Sequence, residues 1–168
     1  MRSSWPTLAI LFLLPALGWS CAESHPLSSV PVEPSLGLSP SSPIESSRAF
    51  EKAIRLEPGS HDFERARIDY LLEQVAKSPY NFIRNGSRYT GKRAEEHLKW
   101  KYFRNRRRVN TAEEFIDRVA FRSSLSGQFY LVELQDKKRV PLRTLLLHEL
   151  GFFDHALETR REVSAKNS

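Results

Sequence analysis

Tyr80-Asn81-Phe82-Ile83-Arg84, then Asn85-Gly86, then Ser87-Arg88-Tyr89: this stretch decides the fold class. Both flanks suit pleated backbone, and an Asn-Gly pair between such runs supplies the two positive-φ residues of a tight hairpin turn. Asn85-Gly86-Ser87 also spells a glycosylation acceptor, but turn geometry alone explains these residues. Upstream, Phe63, Ala66, Ile68, Leu71, Leu72 and Val75 recur at helical spacing, so Asp62 to Lys77 is predicted as an amphipathic helix that ends before Pro79. The hairpin is therefore entered from a helix.

Downstream, Thr90 can cap a helix running to about Phe103, with Ala94, Leu98 and Tyr102 inward. Arg104 to Arg108 is predicted as a basic connection. Thr111-Ala112-Glu113-Glu114 has the capping-box pattern, in which the hydroxyl accepts an orphan N–H and the carboxylate reaches back. It opens a helix whose Phe115, Ile116, Val119 and Ala120 form a buried stripe. Ser123-Ser124-Leu125-Ser126-Gly127 breaks that helix, and Phe129 to Leu134 is predicted as a strand followed by a Gln135-Asp136-Lys137-Lys138 turn. A last helix is predicted over 142–157, and residues 158–168 read as a charged flexible tail. The pattern is that of an α+β domain over 60–157: a small antiparallel sheet (the hairpin plus one further strand) packed with about four helices.

Further out, Arg2 precedes the apolar run Leu8-Ala9-Ile10-Leu11-Phe12-Leu13-Leu14, which Pro15 and Gly18 end before small residues. That is the layout of a removable export signal over 1–22, and the run is far short of the roughly 20 apolar residues that span a bilayer. No integral membrane span is expected. Cleavage after Ala22 would discard Cys21. Lipidation at Cys21 is the lesser reading, because Gly18 stands where lipoprotein signals usually place Leu. From Glu23 onward Pro26, Pro31, Pro34, Pro40 and Pro43 are spaced among serines, so 23–59 reads as an extended tether, with a short helix fitting 48–56.

Charge narrows the partners. Lys and Arg number 26 against 20 Asp and Glu, a net +6. In an exported protein that balance turns away from nucleic acid and toward an anionic envelope component or an envelope protein. The single Cys lies in the signal region, so the domain has neither a disulfide nor a thiolate metal site. His61, His97, His148 and His155 lack ligand spacing, so no metal or other cofactor is expected. No oligomeric state follows from the sequence.

Several linked motifs carry a resemblance. They are Phe82-Ile83-Arg84-Asn85-Gly86; Ala94 with His97-Leu98 and Lys101; Thr111-Ala112-Glu113 with Phe115-Ile116; and Ser123-Ser124-Leu125-Ser126-Gly127 before Tyr130. In order and spacing they resemble the YfeK-like family of bacterial periplasmic proteins, a family of unknown function, over roughly 63–150. The resemblance implies a periplasmic location in a Gram-negative envelope. It brings no activity, substrate or cofactor. The run Arg106-Arg107-Arg108 is only partly matched, the family often having a basic residue near Arg108.

His97 and Lys101 stand four apart on one helical face. Were Ser123, Ser124 or Ser126 to converge on them, a small Ser/His hydrolase would be conceivable, though no carboxylate is placed to orient His97 and no nucleophile elbow is present. The plainer reading gives the serines to backbone bonds at the helix end and His97 to a loop partner. The richest surface is basic. Arg84 and Arg88 flank the turn, Lys92 and Arg93 follow, and Lys99, Lys101 and Arg104 to Arg108 interleave with Trp100, Tyr102 and Phe103. Cationic forks beside aromatic faces suit anionic ligands. The expected function is a non-enzymatic binding or interaction module, its candidate ligand-binding residues being Arg84, Asn85, His97, Lys101, Arg108, Ser123, Ser124 and Ser126. A secretory precursor cut at Arg106-Arg107-Arg108 is a third reading, opposed by the capping box that follows at once.

Overall fold

The computed structural model describes residues 37–40 and 42–167, and the expected signal lies outside them. The chain runs α1 (Arg48–Ile54), α2 (His61–Lys77), β1 (Asn81–Arg84), β2 (Ser87–Tyr89), α3 (Gly91–Asn105), α4 (Ala112–Phe115), β3 (Leu131–Glu133), β4 (Arg139–Pro141) and α5 (Leu142–Lys166). The strands form one antiparallel sheet in the order β2-β1-β3-β4. This is an α+β fold.

The hairpin turn has the required backbone, with φ of 51° at Asn85 and 78° at Gly86. All six apolar residues of the α2 stripe are buried. Against them pack Leu98 and Tyr102 of α3, Phe115 of α4, and Leu145, Leu146, Leu150 and Phe153 of α5. Each such side chain contributes roughly 1.5–3 kcal/mol on full burial. Thr111 caps α4, its hydroxyl accepting from Glu114 N at 3.1 Å. The carboxylate of Glu114 reaches back one residue further than a capping box requires, accepting from Asn110 N at 2.7 Å.

The fold departs from the sequence reading in four places. The sheet has a fourth strand, β4, pairing Val140 with Val132. The third helix is short and passes into a π-helix over Ile116–Ala120, whose wider turn keeps Ile116, Val119 and Ala120 buried. Residues 37–59, read as tether with a short helix fitting 48–56, do hold that helix as α1, but they also contribute Leu38, Ala49, Phe50 and Ala53 to the core. Phe50 meets Phe153 edge-on at 5.6 Å, and the Leu38 N–H donates to the Glu149 carboxylate, which also accepts from Tyr70 Oη at 3.2 Å. Finally α5 continues to Lys166. Arg161 on that extension donates to Ala53 O at 3.1 Å and Leu56 O at 2.9 Å, satisfying carbonyls at the end of α1.

Gly91 sits where the start of α3 crosses the end of α2. A Cβ there would press on the Val75 carbonyl oxygen and lie 3.0 Å from that of Ser78. Gly91→Ala is expected to destabilise by about 1–3 kcal/mol, read by chemical denaturation. Unchanged or greater stability would show that the two helix ends are free to separate.

Candidate functional site

Arg84 leaves β1 on the face it shares with Phe82, because strand side chains alternate. Opposite it, α3 presents Ala94, His97, Leu98 and Lys101, spaced so that they share one side of the helix. Between the two lies a pocket of about 310 Å³, lined also by Tyr130 and Leu142. Tyr130 is pinned by its backbone on both sides: its N–H donates to Phe121 O at 3.2 Å, and its carbonyl accepts from Leu142 N at 2.9 Å.

The polar groups form a chain with one direction. Arg84 Nη1 lies 3.3 Å from His97 Nδ1, and guanidinium can only donate, so Nδ1 is the acceptor. The ring proton is therefore on Nε2, which donates to Tyr130 Oη at 3.2 Å. Lys101 Nζ also donates to that oxygen at 3.3 Å, and to Val119 O at 2.6 Å and Arg122 O at 2.8 Å. With two donors aimed at its oxygen, the Tyr130 hydroxyl proton is left for another acceptor. Arg84 Nε is sealed from solvent and has no acceptor among the described residues. The hydrogen-bonded chain is a run of donors with no carboxylate in it, while Glu96 stands on the pocket wall facing Arg93 at 3.5 Å.

Electrostatics follow from that crowding. Burial, then the charges of Arg84 and Lys101, push His97 down to about 4, so the imidazole is neutral at pH 7. Burial and Arg84 lower Lys101 to about 8. Its ammonium remains charged at neutral pH, within reach of three oxygens and 4.9 Å from the Tyr130 ring centre. Burial raises Tyr130 despite the opposing pull of Arg84, keeping the phenol protonated.

Of the eight residues named from sequence, Arg84, His97 and Lys101 come together here. Asn85 and Ser126 do not line the pocket; they meet each other, the Ser126 hydroxyl donating to Asn85 Oδ1 at 2.6 Å and tying the serine loop to the hairpin turn. Ser123 is buried and its hydroxyl accepts from Leu125 N at 3.4 Å, while Ser124 is exposed. Both ring nitrogens of His97 are engaged with Arg84 and Tyr130, so the serine–histidine contact of a hydrolase is not made among the described residues. Arg108 lies in a turn of 3-10 helix beyond the end of α3 and does not line the pocket. Sequence reasoning missed Tyr130 as a site residue; its signal was a lone buried hydroxyl at the entry to an apolar strand. The aromatic residues of the basic surface divide: Tyr102 is buried, whereas Trp100 and Phe103 are exposed at 55% and 65% with Arg104 and Arg106 over their rings.

A family model described as a family of unknown function, DUF5329, matches residues 62–154. The chain is also similar to "Uncharacterized protein YfeK" of Salmonella typhimurium, 43% identical over 68 residues that make up 40% of this chain. It spans 57% of the length of that relative. No solved structure matches. The matched family segment contains the whole donor chain from Arg84 to Tyr130 and the pocket mouth.

Proposed function

We propose, for a chain that belongs to the DUF5329 family of unknown function, that it is a non-enzymatic binding module whose pocket takes an anionic component of the bacterial cell envelope. One observation carries this reading: Arg84 lines the pocket and Lys101 is buried behind its Tyr130 wall, with no carboxylate bonded to either among the described residues. The two cations repel one another, and an anion entering the pocket relieves that repulsion. The export-type N-terminus supports an envelope partner over a nucleic acid. No helix among the described residues is long and apolar enough to cross a membrane.

The test is an NMR titration of the full chain with acetate and with phosphate, following the Arg84 Nε–H signal. Saturable shifts that weaken with added salt are expected. The backbone amides of His97 and Tyr130 should shift with the same saturation, and Arg84→Gln is expected to abolish their response. Affinity should stay level from below pH 7 up to the region of about 8, where Lys101 loses its charge, and fall beyond it. His97 does not contribute over that span, because it titrates at about 4. Absence of any saturable shift with either anion would overturn the reading.

A further inference from the structure

The positive charge of this protein is concentrated on one segment. Residues 91–108, which are α3 and the turn of 3-10 helix that continues it, hold eight Lys and Arg against two Glu, an excess equal to the net +6 of the whole chain. The carboxylates on this side each have a cation of their own. Glu95 bonds Lys99, Glu96 faces Arg93 at 3.5 Å, and Asp69 of α2 holds Arg65 at 3.2 Å beside Phe103 and Arg106. Arg104, Arg106 and Arg107 are exposed, and no carboxylate pairs with any of them among the described residues.

Two large rings stand out of the same surface. Trp100 and Phe103, three apart on α3, are both more than half exposed. Arg104 lies over the Trp100 ring at 5.0 Å from its centre, and Arg106 over the Phe103 ring at 4.7 Å. A ring with a guanidinium beside it, twice over, suits the boundary between lipid and water: the ring enters the headgroup layer and the cation meets a phosphate there. We propose that this face of α3 docks the protein onto a bilayer surface rich in anionic phospholipid. Trp100 and Phe103 sit among the headgroups, with Arg104, Arg106 and Arg107 on their phosphates. Docking goes beyond the pocket reading and stands without it.

A lipid surface fits this face better than other polyanions do. One convex helix gives a folded acidic protein little shape to complement, and a stable protein interface takes about 800 Å² from each partner. Phospholipids move laterally, so their phosphates gather wherever cations stand out, and a cluster of Lys and Arg on a helix face is enough to hold them. A nucleic acid would stack its bases on open ring faces. Here Arg104 lies over Trp100, His97 also stacks on Trp100 at 6.0 Å, and Arg106 lies over Phe103. Docking asks no rearrangement of the fold, because Leu98, Lys101 and Tyr102 keep the inner side of α3 buried.

The experiment uses the full chain carrying Trp5→Phe and Trp19→Phe, which leaves Trp100 as its one tryptophan. Because the apolar run from Leu8 to Leu14 can hold a chain on vesicles by itself, the readout is Trp100 emission, not binding of the chain. Phosphatidylcholine vesicles containing phosphatidylglycerol are expected to shift that emission to the blue, saturably, and added salt to reverse the shift. Pure phosphatidylcholine should leave it in place. Arg104→Gln with Arg106→Gln should weaken the response roughly twentyfold, at about fivefold for each cation removed from an anionic surface. Lys137→Gln with Lys138→Gln, the same loss of charge on the exposed β3–β4 turn, should weaken it far less. Arg84→Gln should keep the response, which separates this face from the pocket that Trp100 also borders. The comparison of the two vesicles needs no arginine variant, so it stands whatever their folding. Equal shifts with both vesicles, or no shift while the chain sediments with them, would overturn docking. So would equal weakening by the lysine pair, which reduces the effect to net charge, and an equal shift with polyglutamate, which gives the face to an acidic polypeptide. Loss of the shift in Arg84→Gln but not in the arginine pair would move the headgroup into the pocket, sustaining the anion reading and ending this one. A pocket silent to acetate and phosphate, with Trp100 still answering the vesicles, would do the opposite.

Discussion

Arg67→Ala is expected to destabilise the fold by about 3–5 kcal/mol, the range for removing one partner of a buried ion pair, and to lower the melting temperature by roughly 10–20 °C. Arg67 is a buried hub on α2. Its Nη1 bonds Glu64 at 2.8 Å one turn earlier, its Nη2 bonds Glu113 of α4 at 2.7 Å, and its Nε/Nη2 edge holds Asp154 of α5. Three helices are thus joined through one guanidinium. Removing it leaves Glu64, nearly buried, with Ala112 N at 2.9 Å as its remaining donor, and sets three carboxylates near one another. Glu113 and Asp154 are partly exposed, at 49% and 37%, so water screens their share and the loss stems mainly from Glu64. The pH dependence identifies the cause. Burial pushes Glu113 upward, but the hydrogen bonds and charge of Arg67 outweigh it and leave the group below the usual carboxylate value. A depressed folded-state value gives stability that is present above the ordinary carboxylate range and lost as pH falls through the folded value. Wild type should therefore lose stability on acidification more steeply than Arg67→Ala. Denaturant melts at neutral and acid pH measure both quantities. Equal slopes would mean the hub acts by packing rather than charge.

How much of this was legible follows from the range of each signal. The α2 stripe and the Asn-Gly hairpin are local patterns, periodicity in one case and positive φ in the other, and both were readable. β4 is three residues, Arg139-Val140-Pro141, with only Val140 partly buried, so no alternation announces it. Its closing proline is tolerated because β4 lies at the sheet edge. The Pro/Ser composition before residue 60 hid the fact that Leu38 and Phe50 have a place in the core; that place is made by α5, far along the chain. The extension of α5 likewise depends on carbonyls of α1. At the site, His97 and Lys101 were found because helix spacing is local. Tyr130 was not, since it reaches His97 across 33 residues. The serines drew notice as nucleophile candidates, but one bonds the hairpin turn and another its own loop.

Lys101→Met separates the two parts Lys101 plays. The ammonium is buried without a carboxylate, an arrangement that ordinarily costs several kcal/mol. It is held by the carbonyls of Val119 and Arg122, at the end where the π-helix leaves backbone oxygens without helical partners. Methionine keeps the stem and removes the donor, orphaning the buried Val119 carbonyl and weakening the hold on Arg122 and Tyr130. Each lost partner costs about 1–3 kcal/mol, while removal of the charge relieves its repulsion with Arg84, so a net loss of about 2–3 kcal/mol is expected. A stability change alone would fit any buried side chain. The second measurement is the titration of His97 by NMR. Burial is the first cause of its low value, with Arg84 next and Lys101 third, so removing Lys101 should move it up from about 4 toward its ordinary range. The sign has a further consequence. A depressed histidine withholds stability as pH falls from 6.5 through its folded value, so Lys101→Met should show a narrower acid-side loss from His97 than wild type. Anion affinity should also fall, since the positive charge behind the pocket's Tyr130 wall is gone while Arg84 stays in place. An unshifted His97 would sever Lys101 from the site and leave it as a cap on the π-helix. A shifted His97 with weakened anion binding would place fold and site on the same side chain.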